Sequence, residues 1–197
     1  MKFHNIEQNS LEWSELRRGK FTASVFNDLF MKETTKTYQD VIYKIVYERL
    51  TSDIPESYSN EWMQRGHDLE PEARAIYELE TFNKVHNGGF FELTDWIGAS
   101  PDGLIGEDGL VEIKCPKYNT MIGYLLTKKV PLEYERQIQG QLYVTNRKWC
   151  AFVAYHPNLK PLIIRVEPNE EMITEIKEKL NEAIIKAKTI ITKLKEL

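Results

Sequence analysis

The sequence predicts an α/β fold, with helices before, within and after a central mixed β-sheet. Three observations lead there: apolar residues at helical spacing in the first third, short β-like runs divided by turn residues in the middle, and a long amphipathic pattern at the end. A chain of 197 residues that is 42% hydrophobic and 28% charged can bury a substantial core, which excludes disorder as the default. Neither an internal repeat nor a Gly/Ser linker interrupts it, so one domain over residues 1–197 is expected.

Ser10 can cap a short helix through Trp13 and Leu16, and Ser24 can open a second helix carrying Val25, Phe26 and Leu29. A third, over residues 41–50, places Val41, Ile45 and Tyr47 at helical spacing. A fourth starts near Asn60 and carries Trp62, Leu69, Ala73, Ile76 and Tyr77, with Pro71 marking a new first turn. The period then changes. Residues 90–93, 96–100 and 104–105 read as short strands, and Gly106-Glu107-Asp108-Gly109 as a turn delivering the chain into a strand over 110–115. Helices over 120–128 and 132–145 and strands over 149–155 and 162–166 follow. From Pro168 to Leu197 one helix is expected, acidic at its start and basic at its finish, as the helix dipole favours. Its apolar residues fit both a face docked on the protein's own sheet and a coiled-coil seam between subunits.

The net charge of −4 argues against a generic DNA-coating protein, so any nucleic-acid function must come from a local site. No apolar run approaches the roughly 18–20 residues of a membrane span. The opening residues lack a basic region followed by an apolar stretch, so no secretory signal is read and a cytoplasmic protein is expected. Cys115 and Cys150 alone are too few for a disulfide scaffold, a four-cysteine zinc site or a cysteine-ligated cluster.

The residues that carry chemistry lie in Leu110-Val111-Glu112-Ile113-Lys114-Cys115. Side chains alternate along a strand, so Val111, Ile113 and Cys115 share one face while Glu112 and Lys114 share the other. Upstream, Ser100-Pro101-Asp102-Gly103 puts a second carboxylate in a turn that leads through a hairpin into that strand, where it can meet Glu112. Two adjacent carboxylates repel unless a cation intervenes, and hard oxygen ligands suit Mg²⁺ or Mn²⁺. Lys114 beside them can orient water and stabilise charge on a phosphate. The same residues also fit a surface ion pair and a turn former.

Pro-Asp with Glu-x-Lys beginning ten positions after the aspartate resembles the signature of the PD-(D/E)XK nuclease superfamily. The segments Leu16-Arg17-Arg18-Gly19-Lys20-Phe21-Thr22-Ala23-Ser24, Arg65-Gly66-His67-Asp68-Leu69-Glu70-Pro71-Glu72-Ala73-Arg74, Gly98-Ala99-Ser100-Pro101-Asp102-Gly103, Glu112-Ile113-Lys114-Cys115-Pro116 and Tyr134-Glu135-Arg136-Gln137-Ile138-Gln139 occur in that order. Together they resemble the lambda-exonuclease-like family of phage recombination nucleases, also called YqaJ-type viral recombinases, from about Trp13 to Tyr155.

The resemblance implies a restriction-endonuclease-like core and a Mg²⁺-dependent 5′→3′ exonuclease on double-stranded DNA. It implies two metals per site, with Mn²⁺ able to substitute, a homo-oligomer that is commonly a ring-shaped trimer, and a single-strand annealing protein as partner. Asp102 and Glu112 match its metal ligands, Lys114 its catalytic lysine and Glu70 a carboxylate from the preceding helix; Ile113 joins the metal set. Gln137 and Tyr134 match an active-site glutamine and its neighbour, and Arg17 and Ser24 match positions that hold the 5′-terminal phosphate. The family's prototype carries an arginine where this chain has Thr120; Lys117 is the nearest basic substitute.

Bland alternatives accompany several of these residues. Glu70 fits a first-turn acid ahead of Pro71, and His67, on the same helical face, fits a solvated side chain as well as a Mn²⁺ ligand or a DNA contact. Helical spacing sets Tyr134, Gln137 and Gln141 on one face and Gln139 well around from them; a polar outer face also accounts for Gln139 and Gln141. Ser24 fits a helix N-cap as well as a phosphate ligand. An endonuclease of the same superfamily, or a catalytically silent subunit that binds DNA ends, are the rival readings.

Overall fold

Two mixed β-sheets share the core of this computed structural model, which describes residues 1–54 and 61–197, with residues 61–63 by their backbone alone. The start of the fourth helix near Asn60 and the side chain of Trp62 therefore lie outside the described residues. The elements run β1 (Lys2–His4), α1 (Leu11–Arg17), β2 (Phe21–Thr22), α2 (Lys36–Thr51), α3 (Glu61–Thr81), β3 (Val85–Asn87), β4 (Phe90–Thr94), β5 (Ile97–Ala99), β6 (Gly103–Ile105) and β7 (Gly109–Lys114). They continue as α4 (Tyr118–Thr127), α5 (Leu132–Thr145), β8 (Trp149–Ala154), β9 (Leu162–Val166) and α6 (Glu170–Lys195).

The α/β class with mixed sheet flanked by helices is as the sequence predicts, the strands being divided between two sheets, one of order β1-β4-β5-β2 and the other β3-β6-β7-β8-β9. In the second, β6 and β7 form the expected hairpin, and β7 and β8 run parallel, joined by the crossover through α4 and α5. A parallel pair requires such a crossover, and it carries α5 across the face of β7 from which Glu112 and Lys114 project.

Val111 and Ile113, on the opposite face, are buried with Ala73 and Tyr77 of α3. Leu110 belongs to the larger cluster with Phe152 of β8, Ile138 and Leu142 of α5, and Ile176, Leu180 and Ala183 of α6. The terminal helix opens at Asn169, whose side chain accepts from Met172 N, and packs on α2 and α5. It thus docks on the protein's own body, through helices rather than the expected sheet.

Two local expectations are corrected. Pro71 lies inside α3 instead of opening a helix. It supplies no N–H to the carbonyl four residues back, yet apolar residues on both sides of it, Leu69, Ala73 and Ile76, pack on one cluster and hold the helix together. Ser24 opens no helix: β2 pairs with β5 through Thr22, keeping the chain extended, and Ser24 sits inside a single 3₁₀ turn, Ala23–Val25, followed by another, Asn27–Phe30.

Candidate active site

The β6–β7 hairpin brings the two carboxylates together. Gly103 pairs with Val111, and Asp102, one residue earlier, accepts a hydrogen bond from Ile113 N through Oδ2 at 2.6 Å. Gly88 allows the chain to pack against this turn: a Cβ there would lie 1.8 Å from the Pro101 carbonyl oxygen. Burial first, and then the Glu112 carboxylate, push the Asp102 carboxyl well above the usual carboxylate range, with Lys114 opposing.

Glu112 is 1% exposed and surrounded by donors. Its Oε1 accepts from Lys114 Nζ at 2.5 Å and from Gln137 Nε2 at 2.6 Å, and its Oε2 accepts from Gln141 Nε2 at 2.6 Å. Burial alone would lower the Lys114 ammonium pKa, but Glu112 and Asp102 outweigh it and push it up, so Lys114 is a firm cation. Tyr134 completes the wall: its ring centroid is 5.0 Å from Lys114 Nζ and it stacks on Phe152. Gln137, Gln141 and Tyr134 thus share the face of α5 that their spacing predicts.

Helix α3 closes the other side and is pinned on both sides of Glu70. Arg65 donates to the carbonyls of Cys115 and Pro116, and Arg74 donates to the carbonyl of Asp102 at 2.6 Å. Between them Glu70, His67, Asp102, Ile113, Lys114 and Tyr134 line one cleft of about 400 Å³. An adjoining hollow of about 720 Å³ continues past His67 and Glu70 to Asn9, Gln64 and Arg74.

The expected convergence of three carboxylates is only partly realised. Glu70 Oε1 lies 3.5 Å from Arg74, which draws it aside, and among the described residues no three Asp, Glu, His or Cys side chains form a group that could hold a metal ion. The donor chemistry nevertheless fits a hard divalent cation: the half-buried Asp102 carboxylate on the cleft wall and the buried Glu112 carboxylate behind it lie beside the Ile113 backbone, and Asp102 is destabilised as an anion by burial and by Glu112.

Arg17 and Ser24 form a second cluster. The Arg17 guanidinium lies 4.1 Å over the Trp13 ring and donates to Thr22 Oγ1 at 3.2 Å; Ser24 Oγ is 3.2 Å from the same hydroxyl. Burial pulls the Arg17 pKa down to about 10, against the attraction of Glu48, so it stays charged at neutral pH. Trp13 Nε1 donates to Ser100 Oγ at 2.7 Å, and Gln8 Nε2 donates to the Pro101 carbonyl at 2.7 Å, fastening this end of the fold to the Asp102 turn. Lys117 stands at the N-cap of α4, and both Lys117 and Thr120 are exposed.

The sequence reading gave no site role to Arg65, Arg74 or Gln141, although it placed Gln141 on the face of Tyr134 and Gln137. Gln139 and Gln141 are each 1% exposed, which rules out the alternative of a polar outer face for them. Gln139 bonds the Glu167 carbonyl and Asn169 N, joining α5 to the start of α6, while Gln141 reaches Glu112. Only the three- and four-residue spacing from Tyr134 and Gln137 signalled where Gln141 points.

Comparison with solved structures places this arrangement among nucleases. The alkaline exonuclease LHK-Exo from Laribacter hongkongensis is 36% identical, with 95% of this chain and 97% of that chain covered at a TM-score of 0.88. The same exonuclease in complex with dAMP aligns at 0.89. A phage-related exonuclease from Haemophilus somnus 129PT, 13% identical, shares the fold at 0.66 over 92% of this chain and 99% of that one. Residues 12–148 match the YqaJ-like viral recombinase domain, and the chain belongs to that family. No curated protein matches it.

Proposed function

We propose that this chain is a Mg²⁺-dependent 5′→3′ exonuclease that shortens one strand of double-stranded DNA and leaves a 3′ single strand for annealing. The observation that carries this reading is the buried Glu112, held by Lys114 and Gln137 directly behind the cleft that Asp102 and Lys114 line. The exonuclease neighbour, 36% identical over nearly the whole chain, supports it.

Asp102, Glu112 and the main-chain carbonyl of Ile113, the one donor an isoleucine offers, are the residues proposed to hold Mg²⁺, with Glu70 joining for a second ion by turning away from Arg74; Mn²⁺ substitutes. When bound, the cation polarises the scissile phosphate and activates water for attack. Lys114 offers fixed positive charge to the phosphate oxygens as charge builds on them. Gln137 offers a neutral amide that bonds an oxygen without adding charge, and Tyr134 fixes the position of the Lys114 ammonium. Arg17, with Ser24 beside it, holds the 5′-terminal phosphate; His67 and Lys117 supply further DNA contacts.

The family reading extends to the whole chain as one PD-(D/E)XK nuclease domain over residues 1–197, acting in the cytoplasm with a single-strand annealing protein. A monomer of net charge −4 attracts DNA poorly, so sustained digestion calls for several subunits around the duplex, and three are proposed. No helix among the described residues is long and apolar enough to cross a membrane.

Digestion of linear duplex labelled at either end, in Mg²⁺ and in EDTA, tests the reading. Loss of the 5′ label as mononucleotide, in Mg²⁺ only, is expected. Internal fragments would assign an endonuclease, and intact DNA in a stable complex a silent end-binding subunit. Light scattering should give three times the monomer mass; a monomer at working concentration would remove the enclosing ring.

A further inference from the structure

We infer that Gln141 is a positioning residue for the metal site: its side-chain amide holds the inner oxygen of Glu112, leaving the outer oxygen to face a divalent cation. The inference rests on the reading of Glu112 as a metal ligand.

The two oxygens of Glu112 are held in different ways. Those bonded to Oε1, Lys114 and Gln137, are partly exposed, and Lys114 lines the cleft. Gln141, bonded to Oε2, is 1% exposed and belongs to the interior. A cation entering from the cleft can displace donors from Oε1, whereas Oε2 keeps its partner. A carboxylate with one oxygen tied down is fixed in rotation, so less conformational freedom is lost when the cation binds.

A second observation shows that Gln141 is poorly matched to a purely architectural role. Its Oε1 is the one buried side-chain oxygen or nitrogen among the described residues with no hydrogen-bond partner. A buried acceptor left unsatisfied is unfavourable, and an apolar side chain of the same size would remove it. An apolar side chain would also strip Glu112 Oε2 of its donor. Glutamate at this position would set a second carboxylate against Glu112. Glutamine supplies the donor without a charge, at the cost of one orphaned oxygen. The helix geometry makes the reach possible: Gln141 stands four residues beyond Gln137, one turn further along the same face of α5, and Thr145 Oγ1 bonds its main-chain carbonyl.

Gln141→Met, which keeps the volume and removes the donor, and Gln141→Asn, which keeps the amide but is one methylene short, test the inference. Mn²⁺ alone is titrated calorimetrically into each protein without DNA, melting is recorded in EDTA, and the Mg²⁺ concentration giving half-maximal digestion is measured. Wild type should bind Mn²⁺, and both variants should remain folded in EDTA yet bind it about 10- to 100-fold more weakly, the usual effect of losing an outer partner of a metal ligand. Saturating Mg²⁺ should restore most of the rate. Unchanged Mn²⁺ affinity in a folded variant overturns the inference while leaving the metal reading intact, as does loss of fold in both variants. Failure of wild type to bind Mn²⁺, or undiminished binding by Asp102→Ala, overturns the metal reading and this inference with it.

Discussion

Arg17 offers the sharpest test of the proposed recognition of a DNA end. Its guanidinium has five donors; Thr22 takes one, Trp13 covers one face, and no carboxylate among the described residues pairs with it. A partly buried cation that feels Glu48 only through space, with no close ion pair, keeps donors that a terminal phosphate would satisfy through two parallel hydrogen bonds. A charged hydrogen bond is worth roughly 1.5–3 kcal/mol, or about 10- to 150-fold in rate when expressed in the transition state. Arg17→Ala should therefore slow digestion of 5′-phosphorylated duplex by about that factor, and of 5′-hydroxyl duplex far less. It also removes a stacking contact with Trp13 worth roughly 0.5–1 kcal/mol, but that loss lowers stability equally for both substrates. Arg17→Lys, which keeps the charge and loses the planar fork, should fall between. Since Thr120 stands where the family's prototype has an arginine, the proposed preference for a 5′-phosphate is expected to be modest unless Lys117 compensates. Initial rates for both proteins on both ends form a double cycle, and equal losses on phosphate and hydroxyl ends would refute the assignment.

Three further outcomes are expected. Asp102→Asn should abolish cleavage yet raise the melting temperature in EDTA, because it removes a half-buried carboxylate that the buried Glu112 repels while its amide oxygen can still accept from Ile113 N; a lower melting temperature would contradict the repulsion. Gly140→Ala gains about 1 kcal/mol of helix propensity, but its Cβ would lie 2.3 Å from the buried Phe26 ring. Overpacking costs roughly 1–3 kcal/mol, so thermal unfolding should show a net loss of up to about 2 kcal/mol; a gain would mean that the ring moves aside freely. Burial raises the Glu92 carboxyl pKa, but Lys20 and His4 more than offset this, so it is lower when folded than when unfolded. Its contribution is then complete above the unfolded pKa and is lost as pH falls through the folded one. The stability difference between wild type and Glu92→Gln should accordingly shrink on acidification, and a difference constant through the carboxylate range would show that the ion pairs contribute nothing.

The sequence was most legible where one local period decided the outcome. Alternation in Leu110–Cys115 put Glu112 and Lys114 on one face, and the Gly106–Gly109 turn set the hairpin register that brings Asp102 to Glu112. Strands β1, β2 and β3 left no such trace, because two or three residues cannot display a period and exist only through pairing with β4, β5 and β6. Arg65 and Arg74 were equally hidden. Each bonds a carbonyl at least 28 residues away, and nothing in the local sequence separates such an arginine from a solvated one. Pro71 misled because proline ordinarily marks a helix start, whereas tertiary packing carries α3 through it. Glutamine is usually exposed, so composition argued for a surface role for Gln141 that helical spacing opposed.

The proposed strand polarity would rest on these same contacts, without any reading of bases. Ser100 and Asp102 lie two residues apart: Ser100 accepts from Trp13, which stacks on Arg17, while Asp102 faces Glu112 across the hairpin. The proposed phosphate anchor and the carboxylates are thus tied to opposite ends of one short turn, and Gln8 holds its middle at the Pro101 carbonyl. The turn itself is buttressed by Gly88, Arg74 and the Ile113 amide, so its two ends cannot move independently. An end seated on Arg17 is consequently presented to the cleft in one register. A phosphodiester inside a continuous strand has no terminal phosphate to satisfy that guanidinium. Discrimination between an end and an interior follows from the spacing of two charged sites, and because phosphates are alike in every sequence it should operate on any duplex.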